Sequence, residues 1–224
     1  MDRGKSALLA GATGLVGRYL LHELLDSPDY GRVVVIGRRS VGFSHPRLVE
    51  HLVGFERLED CASLFRVDAV FCCLGTTLKK AGSKENFRKV DFIYCRNLAA
   101  LARSQMVPEF HLVSALGADP ASAFFYTRVK GETEQALREM HFSRLCLYRI
   151  SLLLGRRDDR RPAEAFAALL AGVLSPVLVG GLRKYRPVRA DALATAMLHS
   201  SLQDFRGERI VEPGQIKALV YGKG

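Results

Sequence analysis

Short apolar runs alternate with longer segments of helical periodicity along most of the chain. In the longer segments apolar residues recur at three- and four-residue spacing, which is typical of amphipathic helices. The short runs are apolar at consecutive positions, as expected of strands covered on both faces of a parallel sheet. The predicted strands are 7–10, 33–36, 48–53, 68–75, 109–113 and 145–149, and the predicted helices include 58–65, 85–103 and 125–140. This alternation predicts an α/β fold with a doubly wound parallel sheet.

Composition and charge exclude several classes of protein. The chain has 224 residues and a net charge of +10, but its basic residues are scattered and no basic helix or zinc finger accompanies them. We therefore predict no nucleic-acid partner. The five cysteines are odd in number and, like the six histidines, lack metal-ligand spacing, so we predict free thiols and no metal site. Free thiols and the absence of a recognisable signal peptide favour a cytoplasmic protein.

Three glycines follow the first strand at a spacing of three residues: Gly11, Gly14 and Gly17. Glycine permits the tight turn and close backbone approach that a strand needs to enter a helix directly. The N-terminus of that helix offers unpaired N–H groups and a partial positive charge, which suit a pyrophosphate. A tight turn without a ligand would use the same residues, so the motif alone leaves both interpretations open.

Two arginines stand at the end of the second predicted strand. Dinucleotide-binding folds that take NAD usually carry an acidic residue there, which binds the ribose 2′-hydroxyl. This chain has Arg38 and Arg39 and no acid at that point. Because guanidinium groups pair with phosphate, the arginines favour NADP over NAD. The alternative is that both arginines are ordinary surface residues.

The helix 125–140 carries a tyrosine and a lysine one turn apart. Tyr126 and Lys130 share a helix face, and a nearby ammonium favours the phenolate form of a tyrosine. Such a tyrosine can exchange a proton with a carbonyl that receives a hydride. Ser114 stands at the end of the fifth strand, where it could hydrogen-bond the same oxygen. Glu132 and Glu134 follow on the helix, and we expect them to be solvated, with pairing to Arg128 or Arg138 at helical spacing as the alternative.

Together these motifs resemble the short-chain dehydrogenase/reductase superfamily, which has a Rossmann fold. The glycine pattern and the segment 90–98 match its extended and atypical branches. The segments 71–77, 80–82, 114–119 and 126–132 are most similar to atypical, Tat-interacting-protein-like members that bind NAD(P)H. Asp91 stands where extended members usually have Asn.

The resemblance implies an NADPH-binding domain and assigns residues to it. Ser114, Tyr126 and Lys130 would form the reaction centre, with Lys130 also reaching the nicotinamide ribose. The resemblance implies cofactor contacts from the glycine turn, the second and fourth strand ends and the helix 125–140, and we add Arg149 at the end of the sixth strand. The full set is Gly11, Thr13, Gly14, Leu15, Val16, Gly17, Arg38, Arg39, Gly75, Thr76, Lys130 and Arg149.

The sequence therefore predicts an NADP(H)-dependent oxidoreductase that transfers hydride to or from a carbonyl or alcohol through a Ser-Tyr-Lys centre. The substrate would be a small molecule, and the apolar segment 151–182 favours a hydrophobic one. The alternative is an NADPH-binding regulatory or redox-sensing protein with little or no turnover. A weaker alternative is epimerase-like isomerisation with retained cofactor.

The length suits a single domain over 1–224, with a cofactor-binding core over 1–150 and a small substrate-side and C-terminal extension over 151–224. Helices at 163–171 and 190–200 and a strand at 208–211 are expected in the extension. The stretch 165–182 has no charge, but its glycines and proline favour a buried helix and loop over a membrane span. Contact of this stretch with a membrane surface or a partner stays open. The apolar faces of the helices 85–103 and 125–140 could pair two copies into a homodimer.

Overall fold

A seven-stranded parallel sheet forms the centre of the computed structural model, which describes residues 4–155 and 187–221. The strands are β1 (Lys5–Ala10), β2 (Tyr30–Gly37), β3 (Leu48–Leu52), β4 (Ala69–Cys72), β5 (Glu109–Ala115), β6 (Arg144–Ile150), β7 (Leu153–Leu154), β8 (Val188–Arg189) and β9 (Gly207–Val211). Their order in the sheet is β3-β2-β1-β4-β5-β6-β9, and β7 pairs with β8 separately. The prediction of a doubly wound, Rossmann-type sheet is confirmed, and the strand order reverses between β1 and β4.

Helices cover both faces of this sheet. They are α1 (Leu15–Asp26), α2 (Leu78–Ala81), α3 (Lys84–Arg88), α4 (Cys95–Ser104), α5 (Phe125–Arg138), α6 (Ala190–Leu202) and α7 (Pro213–Tyr221), with a 3-10 segment at Phe55–Phe65. Helices α1 and α6 pack on the face that carries Leu9, whereas α4, α5 and the 3-10 segment pack on the face that carries Leu8. Successive side chains of a strand point to opposite faces, so β1 supplies both cores.

The predicted helix 85–103 is interrupted in the structure. It consists of α3, a π-helical turn at Lys89–Tyr94 and α4. The apolar spacing predicts the helix but is insensitive to one extra residue in a turn. The π-helical turn contains Asp91, which is buried. Such turns often occur at functional sites, and this one lies beside the loop that follows β4.

Two adjacent cysteines, Cys72 at the end of β4 and Cys73 directly after it, lie on opposite sides of the sheet, as their consecutive positions predict. Cys72 packs on the α4 face and Cys73 on the α1 face. All five cysteines are free thiols.

The apolar face proposed for a homodimer is used within the chain itself. Leu98 of α4 and Leu137 of α5 are fully buried against the sheet. These residues therefore offer no free apolar surface to a second copy.

The extension beyond residue 150 contributes directly to the central sheet. Strand β9 pairs in parallel with β6, and α6 packs on α1. The predicted helix 163–171 and the apolar stretch 165–182 lie outside the described residues. In the parts of the chain that the structure does describe, none of the helices combines the length and apolarity needed to cross a bilayer.

Candidate cofactor and reaction site

The glycine turn joins β1 to α1 at the C-terminal edge of the sheet. Gly11 has a φ of +89°, a conformation that disfavours any residue with a Cβ. A Cβ on Gly11 would lie 2.6 Å from the carbonyl oxygen of Cys73, and one on Gly17 would lie 2.1 Å from that of Gly11. Both glycines are therefore required by close backbone approach.

The first turn of α1 presents unpaired backbone donors. Its N-cap, Gly14, offers no side-chain cap, and the turn contains no acidic residue. The Gly14 N–H donates to the carbonyl of Gly11 at 2.9 Å, which closes the turn. Thr13, Leu15 and Val16 flank this cap. The free N–H groups and the helix dipole make the position suitable for an anion.

A cavity of about 420 Å³ extends from the glycine turn to the loop that follows β2. Basic side chains from two elements line it, namely Arg18 and His22 of α1 and Arg39 beyond β2. Arg39 Nη2 lies 3.4 Å from Thr13 Oγ1, so this arginine spans the mouth of the glycine turn. Arg38 is exposed and does not line the cavity. Of the two predicted arginines, the geometry therefore brings Arg39 to the site.

The far wall of the cavity is held by a carboxylate. Glu50 of β3 accepts from Ser40 Oγ at 2.7 Å and from the Val41 N–H at 2.6 Å. The wall ends at Phe43, whose ring stacks on His22 with centroids 5.3 Å apart. This flat aromatic pair is suited to lie against a planar base.

Lys130 is buried beneath the loop that follows β4. Its Nζ lies 2.8 Å from Asp91 Oδ1, and a Cβ on Gly75 would lie 3.9 Å from the same Nζ. Burial by itself would lower the pKa of Lys130, but the Asp91 carboxylate, with a further contribution from Tyr126, holds that pKa above its ordinary value. Lys130 is thus a charged ammonium at physiological pH.

Tyr126 lies one turn before Lys130 and is 41% exposed. Its ring packs on Phe87 with centroids 5.6 Å apart, so the side chain is supported on one side and open on the other. The structure therefore brings together the predicted tyrosine, the lysine and the Gly75–Thr76 loop.

Ser114 and Arg149 belong to a different cluster of side chains. Ser114 is 2% exposed and donates to Glu134 Oε1 at 2.6 Å. Arg149 Nη2 donates to Glu134 Oε2 at 2.6 Å, and Arg138 donates to the same oxygen at 3.1 Å. Ser114 has one hydroxyl proton, so in this arrangement it can accept, but not donate, a further hydrogen bond. The expectation of a solvated Glu134 is wrong, whereas its pairing with Arg138 is confirmed.

Replacing Glu134 with Gln is expected to destabilise the fold by about 2 kcal/mol, since it leaves the partly buried Arg149 without its carboxylate partner, whereas Arg138 keeps Glu208. The Glu132→Gln variant is a matched control on the same helix. Glu132 pairs with Arg88 in a half-exposed ion pair, which contributes less than about 1 kcal/mol. Chemical denaturation of both variants checks this expectation, and equal losses of stability would contradict it.

Two residues of this site were missed by reasoning from the sequence. From the sequence, Asp91 stands out only as a departure from Asn, although an acid inside an apolar helix face is itself a signal of a buried partner. Glu134 stands four residues beyond Lys130 and beside the buried positions Val129 and Thr133. That spacing could have indicated that it faces the sheet.

No cluster of three metal-ligating side chains occurs within residues 4–155 and 187–221.

Comparison with known proteins identifies the family. A sequence model of the NAD-dependent epimerase/dehydratase family matches residues 7–208. The protein HTATIP2 of Rattus norvegicus is 39% identical over 98% of this chain and 89% of its own length. Among solved structures, the Bordetella bronchiseptica enzyme WbmH in complex with NAD+ superposes with a TM-score of 0.71 at 17% identity, over 93% of this chain and 76% of that chain.

A fungal relative corrects the expected location. The Aspergillus fumigatus protein named "Protein fmp52, mitochondrial" is 33% identical over 96% of this chain and 93% of its own length. The prediction of a cytoplasmic protein is therefore wrong, because free cysteines report reducing conditions and do not identify a compartment. The resemblance to short-chain dehydrogenases and to Tat-interacting-protein-like members is confirmed by the family match and by the rat relative. The chain belongs to the NAD-dependent epimerase/dehydratase family.

Proposed function

We propose that the chain is an NADP(H)-dependent oxidoreductase acting on a small carbonyl or alcohol. The observation that carries the proposal is the buried Lys130 ammonium, held by Asp91 one helical turn from the half-exposed Tyr126. This pair adjoins the Gly75–Thr76 loop at the same sheet edge as the glycine turn. A buried ammonium beside an accessible phenol suits proton exchange with a reacting oxygen.

The residues present fit a dinucleotide. The Gly11 and Gly17 positions leave room for close backbone approach, and the first turn of α1 is free of acidic side chains that would repel a pyrophosphate. His22 and Phe43 would lie beside the adenine, and Arg39 with Arg18 would neutralise a 2′-phosphate. When bound, the nicotinamide supplies the hydride donor or acceptor.

In this proposal the Tyr126 hydroxyl gives its proton to the substrate oxygen during reduction and takes it back during oxidation. Lys130 stabilises the phenolate that is left. Ser114 would complete the centre by turning its hydroxyl from Glu134 toward the substrate oxygen. Without that rotation, the Ser114 hydroxyl continues to donate its proton in a hydrogen bond to the Glu134 carboxylate.

NADPH is expected to bind more tightly than NADH, and Arg39→Gln is expected to weaken NADPH by about 10- to 100-fold, the usual value of a hydrogen bond to a charged group. Affinity for NADH should change little, since NADH lacks the 2′-phosphate. Titration of both nucleotides, followed by fluorescence, measures the two constants.

Arg32→Gln is the control for this measurement. Arg32 is an exposed residue near the start of β2, the strand that precedes Arg39, and so lies at the opposite end of that strand from the cavity. The Arg32→Gln substitution removes the same charge and should leave the affinities for NADPH and NADH unchanged. Tighter binding of NADH by the wild type, or equal weakening of both nucleotides in Arg39→Gln, would overturn the assignment to NADP.

A second candidate function is an NADPH-binding regulatory or redox-sensing protein. The hydrogen bond from Ser114 to Glu134 favours it, since it occupies the hydroxyl that would otherwise orient a substrate. The two candidates differ in NADPH consumption with a panel of aldehydes and ketones of increasing apolar size. Rapid oxidation with equimolar alcohol formation supports the reductase, whereas tight binding without turnover across the panel supports the regulator. Product formation without net NADPH oxidation would indicate isomerisation.

A further inference from the structure

One buried carboxylate connects three elements of the site. Asp91 Oδ1 lies 2.8 Å from Lys130 Nζ, and Asp91 Oδ2 accepts from the Thr76 N–H at 2.9 Å. Asp91 is 1% exposed and Lys130 5% exposed. The π-helical turn, α5 and the loop after β4 therefore meet at a single side chain that is shielded from water.

The backbone of Asp91 is fixed to α5 as well. Thr133 Oγ1 lies 2.9 Å from the carbonyl oxygen of Asp91 and 2.8 Å from that of Val129. The π-helical turn thereby directs the carboxylate inward while its carbonyl contacts the same helix that carries Lys130. This double attachment leaves the carboxylate little freedom to turn away from the lysine.

The groups around Lys130 determine how its charge acts on Tyr126. The charged or titratable groups that face the ammonium are Asp91 from the π-helical turn, Tyr126 from α5 and Cys95 from α4. Behind Cys95, the thiol of Cys72 lies 3.6 Å away. Asp91 is the acidic side chain that contacts Lys130, so it offsets the positive charge that a phenolate at Tyr126 would experience.

We propose that Asp91 is a positioning residue that ties Lys130 to the Thr76 backbone and, by balancing the lysine's charge, sets the pH at which Tyr126 exchanges its proton. This inference rests on the proposed function for its catalytic meaning. The charge balance between Asp91 and Lys130 is a property of the free protein and can be measured without substrate or cofactor.

The test compares two substitutions that separate charge from anchoring. Asp91→Asn removes the charge but keeps an oxygen that can accept from the Thr76 N–H. The phenolate of Tyr126 is then expected to form about one pH unit lower than in the wild type, as Lys130 is left unbalanced. Asp91→Ala removes the anchor too, and should also weaken NADPH binding, by up to about tenfold.

The titration is followed by the ultraviolet absorbance of phenolate. Subtracting the curve of the same variant with Tyr126→Phe isolates Tyr126 from the other tyrosines. A midpoint in Asp91→Asn that stays at the wild-type pH or rises would overturn the proposal. So would equal loss of NADPH affinity in Asp91→Asn and Asp91→Ala, since the amide could not then replace the carboxylate as anchor.

The electroneutral double variant Asp91→Asn, Lys130→Met covers the case in which Asp91→Asn alone does not fold. Its phenolate is expected to form close to the wild-type pH, because the two charges it removes largely cancel. If the phenolate of the double variant instead formed at a much higher pH, the charge of Lys130 would act on Tyr126 without being offset by Asp91, and the inference would be overturned. Failure of the wild type to bind NADPH or to reduce any carbonyl counts against the proposed function, whereas the titration of the free protein tests the charge balance between Asp91 and Lys130 without cofactor or substrate.

Discussion

Tyr126→Phe is expected to lower kcat for carbonyl reduction by about 10²- to 10⁴-fold, the usual contribution of a positioned general acid. The substitution removes the hydroxyl and keeps the ring that packs on Phe87. NADPH affinity and thermal stability should therefore stay close to those of the wild type. Steady-state kinetics on a carbonyl selected by screening, together with NADPH titration, measure the two properties separately.

Tyr94→Phe is the matched control. Tyr94 lies in the neighbouring π-helical turn, and its hydroxyl hydrogen-bonds Glu56, outside the reaction site. The same loss of one hydroxyl there should leave kcat nearly unchanged. Normal turnover by Tyr126→Phe would show that another group supplies the proton, and an equal loss in Tyr94→Phe would point to a general structural effect.

Gly17→Ala is expected to cost about 5 kcal/mol or more, which is comparable to the whole stability of a typical domain. The added Cβ would lie 2.1 Å from the Gly11 carbonyl oxygen and 2.7 Å from its carbonyl carbon. Both are backbone atoms of the turn that enters α1, so they can move only if β1 and α1 separate. Soluble expression, circular dichroism and NADPH binding should all be lost or strongly reduced.

Gly214→Ala serves as the comparison for that experiment. Gly214 lies in α7, and a Cβ there would meet nothing within 4 Å. Alanine is the better helix former, so this variant should be as stable as the wild type or slightly more stable. A stable, NADPH-binding Gly17→Ala protein would show that the turn is looser than its backbone distances indicate.

Features of the fold that depend on local sequence could be predicted. Consecutive apolar residues mark β2 and β4, and the glycine spacing predicts the turn at Gly11, whose φ is indeed positive. The pairing of these elements into one parallel sheet follows from the short alternating segments and the handedness of their crossovers. The candidate residues at the strand ends follow from that topology.

The partners of the functional side chains could not be predicted in this way. Glutamate is typical of surface positions, yet Glu134 is buried, because Arg149 of β6 lies beside it and pairs with its carboxylate. Asp91 meets Lys130 from a π-helical turn, whose extra residue apolar periodicity does not reveal. The cavity wall combines His22 with Phe43, which are distant along the chain and meet by packing. In each case tertiary contact, rather than local preference, decides the environment.

The position of β9 at the edge of the sheet affects how the chain is made. Strand β6 pairs with β9 through Cys146 opposite Arg209 and Tyr148 opposite Val211, while α6 intervenes in the chain. During synthesis, the six other strands of the central sheet emerge before β9. Until β9 follows, β6 therefore presents open backbone donors and acceptors on the ribosome. An unpaired edge is a template for other strands. The nascent protein therefore carries an open edge on β6 in the interval between release of β6 and release of β9.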